Sequence, residues 1–208
     1  MTPERIQAIL QSHVPAPSVD YCCHLWKQRP FELKLTKTRQ SKVGDFTCKH
    51  HNGHVRITVN HDLNQYLFLI TYIHEVAHHY THIRHGSKID PHGNEWKEMF
   101  QQLLIPVLQE TVFPEEILHL LRLHMVNPKA SSFADVELTK GLRKYDPGME
   151  GAIMLSDVPE GCTFEFQGRF FKRGKLRRTR VLCKELKSRR SYLIPSECIV
   201  GNVQLSFF

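Results

Sequence analysis

The chain has 208 residues, of which 41% are hydrophobic and 24% are charged, and it carries a formal net charge of +7. This composition is typical of a soluble globular protein, and its longest apolar run is too short to span a membrane. Because residues 1–14 lack a continuous apolar stretch and the six cysteines form no CxxC pair, we expect a cytoplasmic protein with reduced thiols.

The first third of the chain predicts two helices followed by three strands. Pro3 after Thr2 starts a short amphipathic helix, and residues 19–28 form a second helix that Pro30 ends. Alternating apolar residues predict strands over 31–35, 43–49 and 55–59. We expect these three strands to pair in a small antiparallel sheet.

A long helix should follow the strands. Asp62 as N-cap with Gln65 completing a capping box, and Gly86 as the stop, bound it at about residues 63–85. Its middle, residues 66–73, is apolar on every side, so this helix should lie buried in the domain.

The helix carries the pattern His74-Glu75-Val76-Ala77-His78, which reads HExxH. Four residues of α-helix turn by about 400°, so His74 and His78 lie on one face, one turn apart, where both imidazoles can bind one zinc ion. Glu75 lies beside them, where its carboxylate can act as a general base on water without being a ligand.

A hydrolytic zinc site usually has three protein ligands, so a third one is expected. Thr81 and Arg84 occupy the positions where a metzincin needs glycine and histidine, which excludes that class. His82 lies one further turn along the same helix, and three ligands in one row rarely converge. The remaining candidates are the loop residue His92 and two carboxylates on the next helix, Glu95 and Glu98.

The rest of the first domain is predicted to be helical. A helix from Asn94 should end near Pro106, another should begin at Pro114 and end before Pro128, and a last one, capped by Ser132 with Asp135, should run to about Lys144. The apolar stripes of these helices indicate core packing.

The last sixty residues differ from the rest of the chain in their predicted secondary structure and in their charge. Phenylalanines, short alternating segments including one over 177–184, and glycines expected at turns (Gly161, Gly168 and Gly174) predict four or five short strands. We therefore divide the chain into a domain of residues 1–148 and a small β-module of residues 149–208.

Positive charge is concentrated in this β-module. Residues 150–208 hold 11 Lys and Arg against 6 acidic residues, and between Arg169 and Arg190 the one acid is Glu185. Such a surface predicts a polyanionic partner, nucleic acid above all. Arg177, Arg178 and Arg180 are the candidate contacts, although a solvated sheet face would show the same pattern.

The motif His74-Glu75-x-x-His78, followed about a dozen residues later by His92-Gly93-x-x-Trp96, resembles the SprT-like metallopeptidases. The resemblance covers roughly residues 31–108. It implies an α+β, zincin-like core with HExxH on its central helix, three histidine ligands (His74, His78 and His92) for one zinc ion, and Glu75 as the catalytic base. It also implies protein substrates, among them proteins bound to DNA. The chain lacks the zinc ribbon that many members carry after this core.

Three functions stay open from the sequence. The first is a zinc-dependent peptidase with three histidine ligands. The second is the same chemistry with Glu95 or Glu98 as the third ligand. The third is a nucleic-acid-binding protein that zinc stabilises without turnover, which would have no use for a carboxylate beside an open metal position.

Overall fold

The computed structural model describes residues 1–39, 42–49, 54–129, 135–146, 153–178, 180–196 and 198–204. Within these ranges the chain forms six α-helices and two β-sheets, an α+β fold. Its contacts divide it into two compact units, Met1–Pro147 and Gly148–Phe208. The division predicted from the sequence lies one residue further along.

The first unit contains all six helices and the smaller sheet. The helices are α1 (Pro3–His13), α2 (Val19–Gln28), α3 (Gln65–His85), α4 (Asn94–Leu104), α5 (Glu115–His124) and α6 (Val136–Arg143). The strands are β1 (Glu32–Thr36), β2 (Gly44–Lys49) and β3 (His54–Asn60). None of the helices in the described ranges combines the length and the apolar character that crossing a membrane requires.

The sheet of the first unit is mixed, so the predicted antiparallel sheet was wrong in one of its pairs. The strand order is β1-β3-β2, with β2 antiparallel and β1 parallel to β3. The chain therefore crosses from β1 over to the far edge, forms β2 there, and returns through the centre as β3. This order leaves β2 at an edge of the sheet, packed against α3.

Helix α3 is the centre of the first core. The predicted burial of its apolar middle is confirmed, because every residue from Leu67 to Ile73 is buried. Helix α2 is fixed to it by two tyrosine hydroxyls of α3: Tyr72 donates to the Cys22 carbonyl (3.0 Å) and Tyr80 donates to the Leu25 carbonyl (2.9 Å). Gly86 ends the helix with a φ of 76°, as predicted.

The start of α3 differs from the prediction. Asn64, and not Asp62, is the N-cap, and its Oδ1 accepts from the backbone amides of Tyr66 (3.1 Å) and Leu67 (3.0 Å). The Asp62 carboxylate instead accepts from the Thr38 hydroxyl at 2.5 Å. The Asn64 amide group also donates to the Leu142 carbonyl (2.9 Å) and to Asp146 Oδ1 (2.7 Å). These long-range bonds select Asn64 over the nearby aspartate.

Helix α6 begins later than predicted. Asp135 is itself the N-cap, and its side chain accepts a hydrogen bond from the Leu138 amide. The predicted capping box, with Ser132 as N-cap and Asp135 three residues later, was therefore wrong. Ser132 lies outside the described residues. The Asp135 carboxylate also accepts from the buried His124 ring (3.0 Å), which ties α6 to the end of α5.

The second unit holds a six-stranded antiparallel sheet in the described ranges. Its strands are β4 (Ile153–Met154), β5 (Thr163–Phe166), β6 (Arg169–Arg177), β7 (Arg180–Glu185), β8 (Ser191–Pro195) and β9 (Ile199–Gln204), in the order β4-β9-β5-β6-β7-β8. The prediction of four or five strands was therefore too low. Its core is a separate apolar cluster that includes Phe164, Phe171, Val181 and Ile194.

The β6–β7 hairpin lies where a single strand over residues 177–184 was predicted. Arg178 lies in the turn between the two strands and has a φ of 54°. Gly174 instead lies inside β6, where the pairing of β6 with β7 is irregular. A Cβ on Gly174 would come 2.5 Å from the Leu182 carbonyl oxygen. Close approach of two backbones, and not a turn, therefore accounts for this glycine.

The acid Glu185 has a structural role in the second unit. Its side chain is 9% exposed, and it accepts hydrogen bonds from Arg169 Nε (2.7 Å) and from the Ser188 hydroxyl. These two hydrogen bonds lower the pKa of Glu185 to about 2. The Arg169 guanidinium also lies over the rings of Phe171 (5.2 Å) and Tyr192 (4.7 Å).

We therefore expect Glu185 to stabilise this unit in a pH-dependent way. A folded-state pKa below the unfolded value of about 4.3 gives stability that is complete above that value and is lost as pH falls towards 2. Calorimetry should show Glu185→Gln unfolding at a lower temperature than the wild-type chain near pH 6, with the difference vanishing near pH 2. Glu160→Gln, whose exposed carboxylate makes only a long 3.8 Å contact with Arg173, should change little. A difference that stays constant from pH 6 to pH 2 would contradict this assignment.

Candidate metal centre

Three histidine side chains converge beside α3. His74 and His78 lie one turn apart on this helix, and His92 approaches from the segment between α3 and α4. The Nε2–Nε2 distances are 3.2 Å for His74–His78, 3.1 Å for His78–His92 and 3.4 Å for His74–His92. Among the described residues they form the one group of three or more such side chains that could hold a metal ion.

The spacing of the three nitrogens fits zinc. Zn–N bonds of 2.0–2.1 Å in a tetrahedral arrangement require ligand nitrogens about 3.3 Å apart. Without a cation, three neighbouring imidazole nitrogens make at most poor hydrogen bonds with one another, so a metal ion explains their convergence better. The cluster offers three candidate ligand atoms and no fourth in the described part of the chain, so a metal ion held there would keep one coordination position open.

A tight turn places His92. The His92 backbone amide donates to Asp90 Oδ1, and the Gly93 amide donates to the Asp90 carbonyl, each at 3.0 Å. A Cβ on Gly93 would lie 3.1 Å from Cβ of Asp90 and 3.2 Å from Oε2 of Glu95, so a side chain fits poorly there. Gly93 is also the N-cap of α4. The turn and the helix start together fix the position of His92, the third candidate ligand.

Trp96 packs against all three imidazoles. It is fully buried, and its ring centroid lies 4.6 Å from His74, 5.3 Å from His78 and 4.8 Å from His92. On α4 it also stacks on Phe100 at 5.1 Å. The tryptophan of the sequence motif thus packs against all three candidate ligands, which restricts their ring orientations.

Burial favours the neutral form of the candidate ligands. It lowers the pKa of His78 to about 4 and that of His74 well below the ordinary value, and the neighbouring imidazoles act in the same direction. The pKa of His92 is also lowered by burial, although Asp90 opposes this. Neutral imidazole is the form that binds a metal ion.

Glu75 lies beside the cluster with 6% of its surface exposed. Burial, assisted by Asp45, raises its pKa to about 8, while Arg39, Lys42 and the backbone amide of Phe46 oppose the rise. A cation held by the histidines would favour the carboxylate form further. The position therefore holds a buried carboxyl group that can exchange a proton near neutral pH.

The other candidate ligands do not join the cluster. Glu95 and Glu98 are not among the three grouped side chains, and Glu98 instead lines a surface cavity with Gln101, Ile105 and Met125. His82 and His85 lie further along α3. The geometry thus favours His92 over either glutamate as the third ligand.

His79 of α3 is buried outside the three-histidine cluster. It is 4% exposed and packs between the rings of Phe31 (5.7 Å) and Phe46 (5.8 Å). It lies one turn along α3 from Glu75, on the side that Phe46 of β2 covers. Its burial is therefore explained by packing.

Phe46 of β2 is a site residue that the sequence did not reveal. Its ring stacks at 6.3 Å on His78 and also approaches His82 at 5.7 Å. The only available signal was its position two residues after Gly44 in an alternating strand, which places both residues on the face of β2 that covers α3.

The candidate nucleic-acid contacts lie at the tip of the β6–β7 hairpin in the second unit. Arg177 and Arg180 are paired across the hairpin and Arg178 follows β6, and all three side chains are exposed. Arg180 also donates to the Leu193 carbonyl at 3.3 Å. The structure thus brings the three arginines together, away from the apolar cluster of this unit.

Comparison of the chain with protein-family models, with curated proteins and with solved structures found no match.

Proposed function

We propose that this protein is a zinc-dependent peptidase of the SprT-like, zincin-like type, acting in the cytoplasm on protein substrates. The observation that carries the proposal is the open three-histidine cluster with the Glu75 carboxyl group on the residue next to the first ligand. A hydrolytic zinc site needs three protein ligands, one open position and a nearby base.

The roles of the residues follow from their positions. A zinc ion bound here would polarise a peptide carbonyl and make water a better nucleophile. His74, His78 and His92 would hold the ion through Nε2, and Trp96 keeps their rings in place. Glu75 would take a proton from the attacking water and pass it to the leaving amine, which requires a pKa near neutral.

A structural zinc site is the alternative. Such sites are usually closed by four protein ligands, and the described residues supply three. They also have no need for a buried carboxyl group beside the ligands. Both features favour the catalytic proposal over a zinc-stabilised binding protein without turnover.

Two measurements test the proposal together. The purified protein should contain one zinc ion by elemental analysis, and it should hydrolyse an unfolded protein or a quenched fluorescent peptide. Removal of the metal with a chelator should abolish hydrolysis, and added zinc should restore it. A protein that binds one zinc ion but cleaves no peptide or protein, with or without DNA, would favour the structural alternative.

We propose further that the second unit binds nucleic acid. The strands alternate, so Phe170, Lys172, Lys184 and Leu193 lie on the face opposite the apolar cluster, and all four are exposed. Lys172 and Lys184 are direct partners in adjacent strands. An exposed aromatic ring next to a pair of lysines, continued by the arginines of the hairpin tip, suits bases and phosphates.

Reversal of the hairpin charges should weaken DNA binding. Arg177→Glu, Arg178→Glu and Arg180→Glu together should lower affinity and reduce the slope of log K against log salt by roughly 2–3, since each lost phosphate contact removes about 0.7–0.9. Cleavage of a small free peptide should not change. Titrations of labelled DNA at several salt concentrations measure both quantities.

The control reverses the same number of charges elsewhere. Arg5, Lys34 and Arg122 are exposed residues of the first unit, and changing them to glutamate gives the same net charge. This variant should keep most of the affinity and the slope. Equal losses in both variants would show that net charge, and not the hairpin, governs binding.

A further inference from the structure

Strand β2 lies close against α3 at Gly44. This residue is paired with Val59 of β3, which is completely buried. A Cβ on Gly44 would lie 2.6 Å from Cγ2 of Thr71, 3.0 Å from Cδ of Glu75 and closer still to Oε1 of Glu75. The carboxyl group of Glu75 therefore occupies the space that a side chain at position 44 would need.

The backbone itself does not require glycine at this position. In the described residues the glycines with positive φ are Gly86, Gly161 and Gly168, so Gly44 has a conformation that other residues adopt. Only the lack of space excludes a side chain. Gly44 therefore differs from glycines that are required because the backbone has a positive φ.

We propose that Gly44 is a positioning residue for Glu75: the absence of a side chain on β2 lets the carboxyl group lie against the strand, beside the three histidines. The same strand contacts the ligand His78 through Phe46. The inference rests on the proposed peptidase function, because it assigns β2 the role of holding the general base.

The physical consequence of a methyl group at position 44 is displacement of Glu75. Thr71 is β-branched and lies within α3, so its methyl group has little freedom to move. The Glu75 carboxyl group is the end of a flexible side chain and would be the part that shifts. A shift of about 1 Å in a catalytic group can cost about 10²-fold in rate.

Gly44→Ala tests this directly. We expect kcat for a small peptide to fall by about 100-fold, with KM and zinc content close to those of the wild-type protein. Gly201→Ala is the matched control, because a Cβ there meets no atom within 4 Å, and it should keep full kcat. Gly174→Ala controls for general destabilisation: it should lower the unfolding temperature without lowering kcat.

A second measurement does not depend on activity. In the metal-free protein, Gly44→Ala should lower the unfolding midpoint more in the wild-type background than in a Glu75→Ala background, where only the close approach to Thr71 remains. The two substitutions should thus be non-additive, as expected for side chains in contact. A Thr71→Ala background should reduce the effect of Gly44→Ala in the same way.

The outcomes are distinguishable. Wild-type kcat in Gly44→Ala would overturn the inference, as would strictly additive shifts in the unfolding midpoint. If the zinc-loaded wild-type protein cleaves no peptide, the proposed function fails, and the unfolding measurements alone then decide whether Gly44 makes room for Glu75.

Discussion

The Glu75→Gln variant should bind one zinc ion and hydrolyse peptides about 10²–10⁴ times more slowly than the wild-type protein. The amide has the shape of the carboxyl group, so packing against β2 is preserved, but it cannot accept a proton from water. Zinc content by elemental analysis, thermal unfolding and kcat/KM for one peptide give the three readouts.

The matched control is Glu98→Gln. Glu98 is an exposed carboxylate on α4 that lines a separate cavity, so this variant should keep wild-type zinc content and activity. Undiminished turnover in Glu75→Gln would refute the assignment of Glu75 as the base. Loss of zinc from Glu75→Gln would instead show that the carboxylate is a ligand.

The His92→Ala variant should lose zinc. Changes to groups that only orient a ligand typically cost 10–100-fold in metal affinity, so removal of a direct ligand should raise the zinc dissociation constant by more than about 100-fold. Only the Nε2 atoms of His74 and His78 would remain to bind the ion. Competition with a calibrated chelator measures the change.

Two controls accompany this variant. His85→Ala removes an exposed histidine at the end of α3, and Glu98→Ala removes the competing carboxylate, and both should leave zinc affinity unchanged. Zinc loss in Glu98→Ala with zinc retained in His92→Ala would reverse the assignment of the third ligand and favour a glutamate-containing site.

Local spacing was sufficient to predict part of this site. Two histidines four residues apart in a helix must share a face, so the His74–His78 pair follows from helical geometry alone. His92 was different, because a loop residue can return to the helix in many ways. The motif that includes Trp96 pointed to it, and the structure shows the physical basis in the contact of that ring with all three imidazoles.

Contacts between distant residues decided what the sequence left open or misassigned. Asp62 and Asn64 are both good N-caps, and the bonds from Asn64 to residues 142 and 146 select between them. Likewise, β1 pairs in parallel with β3 because β2 lies at the opposite edge of the sheet, and the order of the strands in the sequence does not show this. The burial of His79 could not be predicted, because α3 is apolar around most of its circumference and its pattern does not show which side the sheet covers.

The hairpin in the second unit was missed for a local reason. Its turn includes Arg178 at positive φ, a conformation for which glycine, asparagine or aspartate is the usual signal. Gly174 supplied that signal four residues too early. Residues 177–184 consequently appeared as one continuous basic strand, whereas the arginines belong to the two strands of a hairpin and to its turn.

The cap of α3 has a consequence for the order in which the protein acquires its metal site during synthesis. His74, Glu75, His78 and His92 are all synthesised before residue 146, yet the Asn64 amide group at the start of α3 finds its partners only at Leu142 and Asp146. A nascent chain that stops before these residues carries all three candidate ligands, two of them on a helix whose buried first turn still has an unpaired amide. Completion of the first unit, and not the emergence of its ligands, therefore sets when the site becomes rigid.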